Sequence, residues 1–278
     1  MKLSIITINY NNLEGLKRTY ESVVSQTCQD FEWIIIDGGS ADGSKEFIEE
    51  HQDKFAYWCS EPDKGIYNAM NKGIAKAHGK YLNFMNSGDC FYDEHTLENV
   101  FSQKLSADLV YGDWVQVYNN EEKYISAPLK GFNATVYIEN VCHQSMFIKS
   151  YILKQKGYDE NMAVLADWKR AMEMSLSGNT FQYIPYAISR IDAEDGISRN
   201  ETPQLKGEYA QLLNLMPKKI SNRVKERNEM IYDLWHYKNN PIVSETARIA
   251  FQGASYKTKL IHLSLTIVKF LERIFERK

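Results

Sequence analysis

Cysteine is scarce. The four in 278 residues, Cys28, Cys59, Cys90 and Cys142, include no C-x-x-C pair, so neither a disulfide framework nor a structural zinc site is indicated. No stretch reaches the roughly 18 uncharged apolar residues that a spanning helix needs. The first strand-like run begins at Leu3, which leaves no room for a signal peptide, so the expected location is cytoplasmic. Six prolines, 15 glycines and no biased tract exclude collagen-like, low-complexity or disordered character for the chain as a whole. No G-x-G-x-x-G follows the first strand, which argues against a nicotinamide-binding Rossmann domain.

What is present is ordinary globular composition, 44% hydrophobic and 25% charged, enough for one large core. The net charge of -3 is unevenly spread. Residues 206–278 hold 14 Lys and Arg against 7 Asp and Glu, leaving residues 1–205 at -10. This contrast divides the chain into a body, 1–205, and a basic helical extension, 206–278. An acidic body lacks the positive face that nucleic acid requires, so no nucleic-acid partner is expected.

The body alternates strands and helices. Leu3–Ile8 and Phe31–Ile36 are short apolar, β-branched runs of the kind buried in parallel sheets, and Phe55–Cys59 and Tyr81–Met85 continue the series. Helices are predicted over 44–52 and 66–77, giving βαβ units with right-handed crossovers. Further on, the pattern predicts a helix near 95–103, strands at 108–112, 114–118 and 145–148, and a helix from Asp167 to Ser177 closed by Gly178. That helix would turn Trp168, Ala171, Met172 and Leu176 inward.

Ligands of open parallel sheets bind beyond the carboxyl ends of the strands. Carboxylates fall there: Asp37 after the second strand, Asp63 in the EPDKG loop, Asp89 in NSGD, and Asp113 after DLVYG. A single such Asp is most often a turn residue, but four at successive exits need a cation, a base or donors to hold them together.

Four segments, SIITINYNN, IDGGSADGS, EPDKGIYNAMNKGIAKAHGKYLNFMNSGD and CHQSMFIK, resemble in order and spacing the family 2 glycosyltransferases of GT-A fold, over residues 3 to about 200. Within that family the nearest type resembles bacterial enzymes that build surface polysaccharides and lipid-linked glycans. The resemblance implies a GT-A α/β domain with a mixed, mainly parallel sheet. Its donor would be a nucleoside diphosphate sugar, UDP-linked, and its acceptor a hydroxyl of a glycan or polyprenyl-linked glycan, with inversion at the anomeric carbon. Asp37 would meet the uracil or ribose, in a pocket shared with Thr7, Asn9, Gly38 and Asp63, and Lys64 would balance phosphate charge.

NSGD stands where the family carries a D-x-D metal motif. Asn86 replaces an Asp, which leaves Asp89 as the carboxylate for Mg²⁺ or Mn²⁺. One carboxylate suffices when diphosphate oxygens and waters complete the shell. The same resemblance makes Asp167 the catalytic base, although an Asp at a helix start is also an ordinary cap; Asp159 and Glu160 are its rivals. His143 and Gln144 resemble a recurrent H-Q pair, His143 facing the diphosphate or serving as second metal ligand and Gln144 on the acceptor side. Trp114 could stack on a sugar face. RIDAEDGISRN, 190–200, has the make-up of a closing loop that would carry Arg199 to a phosphate.

The tail 257–278 sets Leu260, Leu263, Ile267, Val268, Leu271, Ile274 and Phe275 on one helical stripe, with basic residues mostly elsewhere. Such a helix either lies on an anionic inner-leaflet surface, docks on the body, or pairs in a homodimer. Two other functions fit parts of the pattern. A sugar-nucleotide pyrophosphorylase would need more glycine than NYNNLEG supplies, and a non-catalytic nucleotide-sugar or glycan-binding module is suggested by Asn86 alone.

Overall fold

The computed structural model describes residues 1–119, 121–127, 136–137, 142–192 and 202–218. Arg199, most of the 190–200 loop and the 257–278 tail lie outside them. The chain divides into two compact units, Met1–Met216 and Pro217–Lys278. The first unit holds every described strand and helix.

Its elements run β1 (Leu3–Asn9), α1 (Leu13–Val24), β2 (Phe31–Asp37), α2 (Ser44–Glu50), β3 (Tyr57–Ser60), α3 (Ile66–Lys76), β4 (Tyr81–Phe84), β5 (Cys90–Phe91), α4 (Thr96–Ser102), β6 (Leu109–Tyr118), β7 (Glu121–Ile125), β8 (Met146–Lys149), α5 (Ser150–Gln155), α6 (Ala166–Leu176), β9 (Phe181–Asp192) and α7 (Pro203–Leu215). They build one sheet in the order β3-β2-β1-β4-β8-β6-β9-β5, with β7 on β6. The first four strands are mutually parallel, β8 is antiparallel to its neighbours, and β6 and β9 are parallel to each other.

β1 and β2 are buried along their length because both faces are covered, which is why they read as unbroken apolar runs. Leu3, Ile5, Trp33 and Ile35 join Leu16, Val23 and Ile48 in one core. On the alternate face α3 approaches so closely that a Cβ at Gly73 would lie 2.5 Å from Ile6 Cγ2.

The register sets the site. Asn9 is level with Asp37 and Asp37 with Ser60, so the last residues of three adjacent strands align. The loop after β4 joins them, since the Ser87 N–H donates to the Ile8 carbonyl.

Several expectations are corrected. The strands predicted at 108–112 and 114–118 are one strand, β6, bulged where Gly112 faces Ile184 and Asp113 faces Ala187. Pro185 falls in that gap in β9, where its missing N–H interrupts the ladder. Asp113 therefore lies inside a strand, not at an exit. Its carboxylate accepts the hydroxyls of Tyr124 (2.7 Å) and Tyr183 (2.9 Å) and the Ala127 N–H (2.8 Å). The loop foreseen from residue 190 starts later, because β9 runs on to Asp192. Leu176 points outward, and Met174 takes a buried place beside Trp168, Ala171 and Met172.

The body also reaches past residue 205. α7, which the charge contrast assigns from residue 206 to the extension, belongs to the first unit and buries Glu208 and Leu212. Among the described residues no helix is long and apolar enough to cross a membrane. Because Asp113 ties β6, β7 and β9 together, Asp113→Ala should lower unfolding free energy by about 2–4 kcal/mol in urea denaturation. A loss below about 0.5 kcal/mol would show that the bulge holds without it.

Candidate active site

At the level ends of β1, β2 and β3, Asp37 is fully buried and saturated with donors. Its Oδ1 accepts from Asn9 Nδ2 (2.7 Å) and Ser40 Oγ (2.5 Å). Its Oδ2 accepts from Ser60 Oγ (2.6 Å) and the backbone N–H groups of Ser40 (2.9 Å) and Gly39 (3.2 Å). Burial opposes ionisation, but hydrogen bonds from Ser40, Ser60 and Asn9 outweigh it and hold the carboxyl below its ordinary range. Asp37 thus shapes the rim rather than offering it a free lone pair.

The groups turned to that rim are others. Asp63 uses Oδ1 on the Gly65 N–H, and its Oδ2 would stand 2.7 Å from a Cβ at Gly38. The Tyr10 ring lies 3.1 Å from the same point, so a larger residue at position 38 would have to displace both side chains. Tyr10 is 68% exposed. Lys64 is also exposed. Thr7 is interior, where its hydroxyl accepts from Trp33 Nε1 at 3.0 Å, so it does not line the rim.

The NSGD turn sits beside this rim. α1 holds it through the buried Thr19 hydroxyl, which is within hydrogen-bond reach of the Asn86 and Asp89 carbonyls and accepts the Gly88 N–H. Gly88 has φ +104, a conformation that favours glycine. Asn12 Nδ2 donates to the Ser87 carbonyl, and Arg18 Nη2 would be 3.7 Å from a Cβ at Gly88.

The H-Q pair joins the turn to α6. Asn86 Nδ2 donates to His143 Nε2 (3.0 Å), which leaves Nδ1 as the donor to Asp167 Oδ2 (3.1 Å). The Tyr67 hydroxyl, with one proton to share, lies within hydrogen-bond reach of both the Val164 carbonyl (2.6 Å) and Asp167 Oδ1 (3.0 Å). Gln144 Nε2 donates to Asp89 Oδ2 at 2.6 Å. His143 therefore has no ring lone pair left for a cation, and Gln144 braces Asp89 instead of facing an acceptor. Trp114 is likewise buried, with no open face for a sugar.

Asp167 is the second residue of α6; Leu165 holds the cap position. Burial opposes its ionisation, and the hydrogen bond from His143, aided by the Trp168 N–H and Tyr67, reverses the balance and lowers its pKa. Its rivals are occupied. Asp159 pairs with Lys169, and Glu160 gives one oxygen to Asn68 and the other to Asn71.

Asp89 differs from both. It is buried with few donors, and burial, only partly offset by Gln144 and His143, pushes its pKa up to about 6. Nearby in sequence, Asn86 Oδ1 and Ser87 Oγ are buried oxygens without partners. A proton-hungry carboxylate and two orphaned oxygens in one turn form the hard donor set that suits Mg²⁺ or Mn²⁺. Among the described residues no three His, Cys, Asp or Glu side chains converge on a metal position, so Asp89 would be the single charged ligand.

The model of "Glycosyl transferase family 2" matches residues 4–168. The chain belongs to glycosyl transferase family 2. Among the relatives of this family 2 chain, an uncharacterized glycosyltransferase of Mycobacterium tuberculosis is 35% identical over 182 residues, 63% of this chain and 69% of the relative. A PGL/p-HBAD biosynthesis glycosyltransferase of Mycobacterium bovis is 30% identical over 172 residues, 59% of this chain and 66% of the relative. Staphylococcus aureus TarS 1–349 with UDP-GlcNAc superposes with a TM-score of 0.60 at 16% identity, covering 77% of this chain and 65% of that one. The mannosyltransferase PcManGT of Pyrobaculum calidifontis, with GDP-Man and Mn²⁺, gives 0.60 at 15% identity over 96% and 80%. These likenesses establish the GT-A fold that the sequence motifs imply.

Sequence reasoning missed Tyr10, Tyr67 and Glu208. Tyr67 had a signal, since with Met70 and Ile74 it completes the buried stripe of α3. The others had none.

The raised Asp89 pKa fixes the sign of a pH effect. Between about 4 and about 6 the native chain keeps a proton that the unfolded chain has lost, so this residue lowers stability as pH rises through that window and by a constant amount above it. Asp89→Asn removes the effect. The unfolding free energy of the variant minus that of the parent should rise by about 2 kcal/mol from pH 4 to pH 7.5 without added metal. An unchanged difference would contradict the raised value.

Proposed function

We propose that the chain transfers a glycosyl group from a nucleoside diphosphate sugar to a hydroxyl of a glycan or lipid-linked glycan acceptor, with inversion at the anomeric carbon. The observation that carries this reading is the bridge from Asn86 through His143 to Asp167, with Gln144 on Asp89 beside it. It puts a buried ionised carboxylate and an oxygen-rich turn into one hydrogen-bonded cluster.

The nucleoside enters at the rim of β1 and β2. There the Tyr10 ring offers a stacking face for the base and Asp63 Oδ2 an acceptor for ribose hydroxyls, while Asp37 and Asn9 keep the rim in shape. The diphosphate extends toward the NSGD turn, where Arg18, 3.4 Å from Asp192, supplies positive charge, and Lys64 of the EPDKG loop is a second source. A divalent cation held by Asp89, Asn86 Oδ1 and Ser87 Oγ would act as a Lewis acid offsetting charge on the leaving diphosphate.

Asp167 takes the proton. Held ionised across the neutral range, it needs no prior deprotonation, and Tyr67 and His143 fix the plane of its carboxylate. As the acceptor oxygen bonds to the anomeric carbon, its proton passes to Asp167 and the carbon–diphosphate bond breaks with its electron pair leaving on the diphosphate. One displacement inverts the centre.

The solved complexes of TarS with UDP-GlcNAc and of PcManGT with GDP-Man and Mn²⁺ support this donor class, with UDP-sugars as the first choice. The relative named for PGL/p-HBAD biosynthesis supports a surface-glycan setting. Placement on the inner leaflet rests on the amphipathic sequence of 257–278.

With UDP-GlcNAc, UDP-glucose, UDP-galactose and GDP-Man tested in turn with Mn²⁺, the parent should release nucleoside diphosphate from one of them. Asp167→Asn should reduce that turnover by about 10²- to 10⁴-fold while still being stabilised by the nucleotide in thermal unfolding. Asp89→Asn should lose the Mn²⁺-dependent part of that stabilisation. Parent-like turnover in Asp167→Asn would remove it as the base, and metal-dependent binding without turnover of any donor would favour a non-catalytic module.

A further inference from the structure

Asp167 sits at the start of a helix that lacks a cap of its own. Leu165, in the cap position of α6, has no side-chain oxygen to offer, and the segment that leads into the helix, residues 163–165, is fastened from elsewhere. The fastening group lies 43 residues further along the chain. Glu208, in the second turn of α7 and 3% exposed, accepts the Ala163 N–H on Oε1 (2.6 Å) and the Val164 (3.0 Å) and Leu165 (2.9 Å) N–H groups on Oε2.

Val164 is shared. Its N–H goes to Glu208, and its carbonyl lies 2.6 Å from the Tyr67 hydroxyl, which also meets Asp167 Oδ1. The carboxylate of Glu208 thus fixes the peptide that, through Tyr67, sets one oxygen of Asp167. A second contact keeps α7 in place, the Trp168 ring on α6 lying 5.9 Å from that of Tyr209. α7 itself starts from a capped end, Thr202 Oγ1 accepting the Leu205 N–H with Pro203 in the first turn. The family match stops at residue 168, so Glu208 lies outside the motifs that define the family.

We infer that Glu208 is a positioning residue for the transfer reaction: by anchoring from α7 the segment that leads into α6, it holds the Asp167 carboxylate in the orientation that receives the acceptor proton. This rests on Asp167 being the base. The buried Glu208 carboxylate is matched to three donors and no other acceptor suits that number. In Glu208→Gln the amide NH₂ must face at least one backbone N–H, which pushes residues 163–165 out of place with little change in side-chain volume. A displacement of about 1 Å at a reacting group reduces turnover by about 100-fold.

The test uses the full chain and nucleoside diphosphate release from whichever of UDP-GlcNAc, UDP-glucose, UDP-galactose or GDP-Man the parent turns over with Mn²⁺. Rates are measured per folded molecule, counted by nucleotide-binding stoichiometry. Glu208→Gln should lower kcat about 10- to 100-fold with donor KM within about 2-fold of the parent, and Glu208→Ala should lower kcat at least as far. In an Asp167→Asn background, Glu208→Gln should cause no further loss. If Glu208→Gln and Glu208→Ala keep the parent kcat per folded molecule and only unfold at lower temperature, Glu208 is a structural anchor and the inference fails while the assignment of Asp167 stands. If Asp167→Asn itself turns over like the parent, or the parent turns over none of the donors, the underlying reading fails instead.

Discussion

Everything at the site depends on three parallel strands that stop together, with the turn after a fourth beside them. In-register pairing of β1 with β2 and β4, and of β2 with β3, brings Asn9, Asp37, Ser60 and the turn after β4 to one edge of the sheet. Polar groups so placed are removed from water, and each must find its partners among the others. The rim is therefore a solved packing problem: Asp37 collects donors from its own turn and from both neighbouring strands, and that network leaves Asp63 and Tyr10 turned toward the outside.

Three buried carboxylates near this edge are treated differently. Asp37 has five donors and is spent on architecture. Asp167 has fewer, all supplied by groups that orient it, and stays ionised. Asp89 has the least compensation for its burial and is the one whose ionised form is disfavoured. A cation would relieve that deficit most where protein donors are fewest, and the same turn holds two orphaned oxygens. His143 and Gln144 make the division possible because adjacent side chains serve Asp167 and Asp89 separately.

Much of this is legible in the sequence. Unbroken apolar runs mark β1 and β2 to within a residue, and the motif order leads to Asp37, Asp89, His143 and Asp167. The structure joins His143 to Asp167 directly and sets Gln144 on Asp89. The misplaced residues have a common cause: periodicity reports burial along one element but not hydrogen bonding between elements. Asp113 resembles a strand exit because Gly112 precedes it, yet a bulge opposite Pro185 carries the strand through. Trp114 and Thr7 look available as an aromatic and a hydroxyl near strand ends, but neighbouring strands enclose them. Position in sequence says nothing of whether a His has a nitrogen to spare.

The boundary drawn from charge fails for a deeper reason. Net charge records what faces water, and Glu208 does not face it. Its three N–H partners lie in the segment leading into α6, so a residue from beyond the family match fastens the approach to the helix that bears Asp167. A carboxylate base depends on placement more than on chemical strength, because an already ionised group gains nothing from further activation and loses rate with each fraction of an ångström of misalignment. With Asp167 read as the base, the family match contains the reacting group, and Glu208, from beyond the match, fastens the segment that leads into its helix.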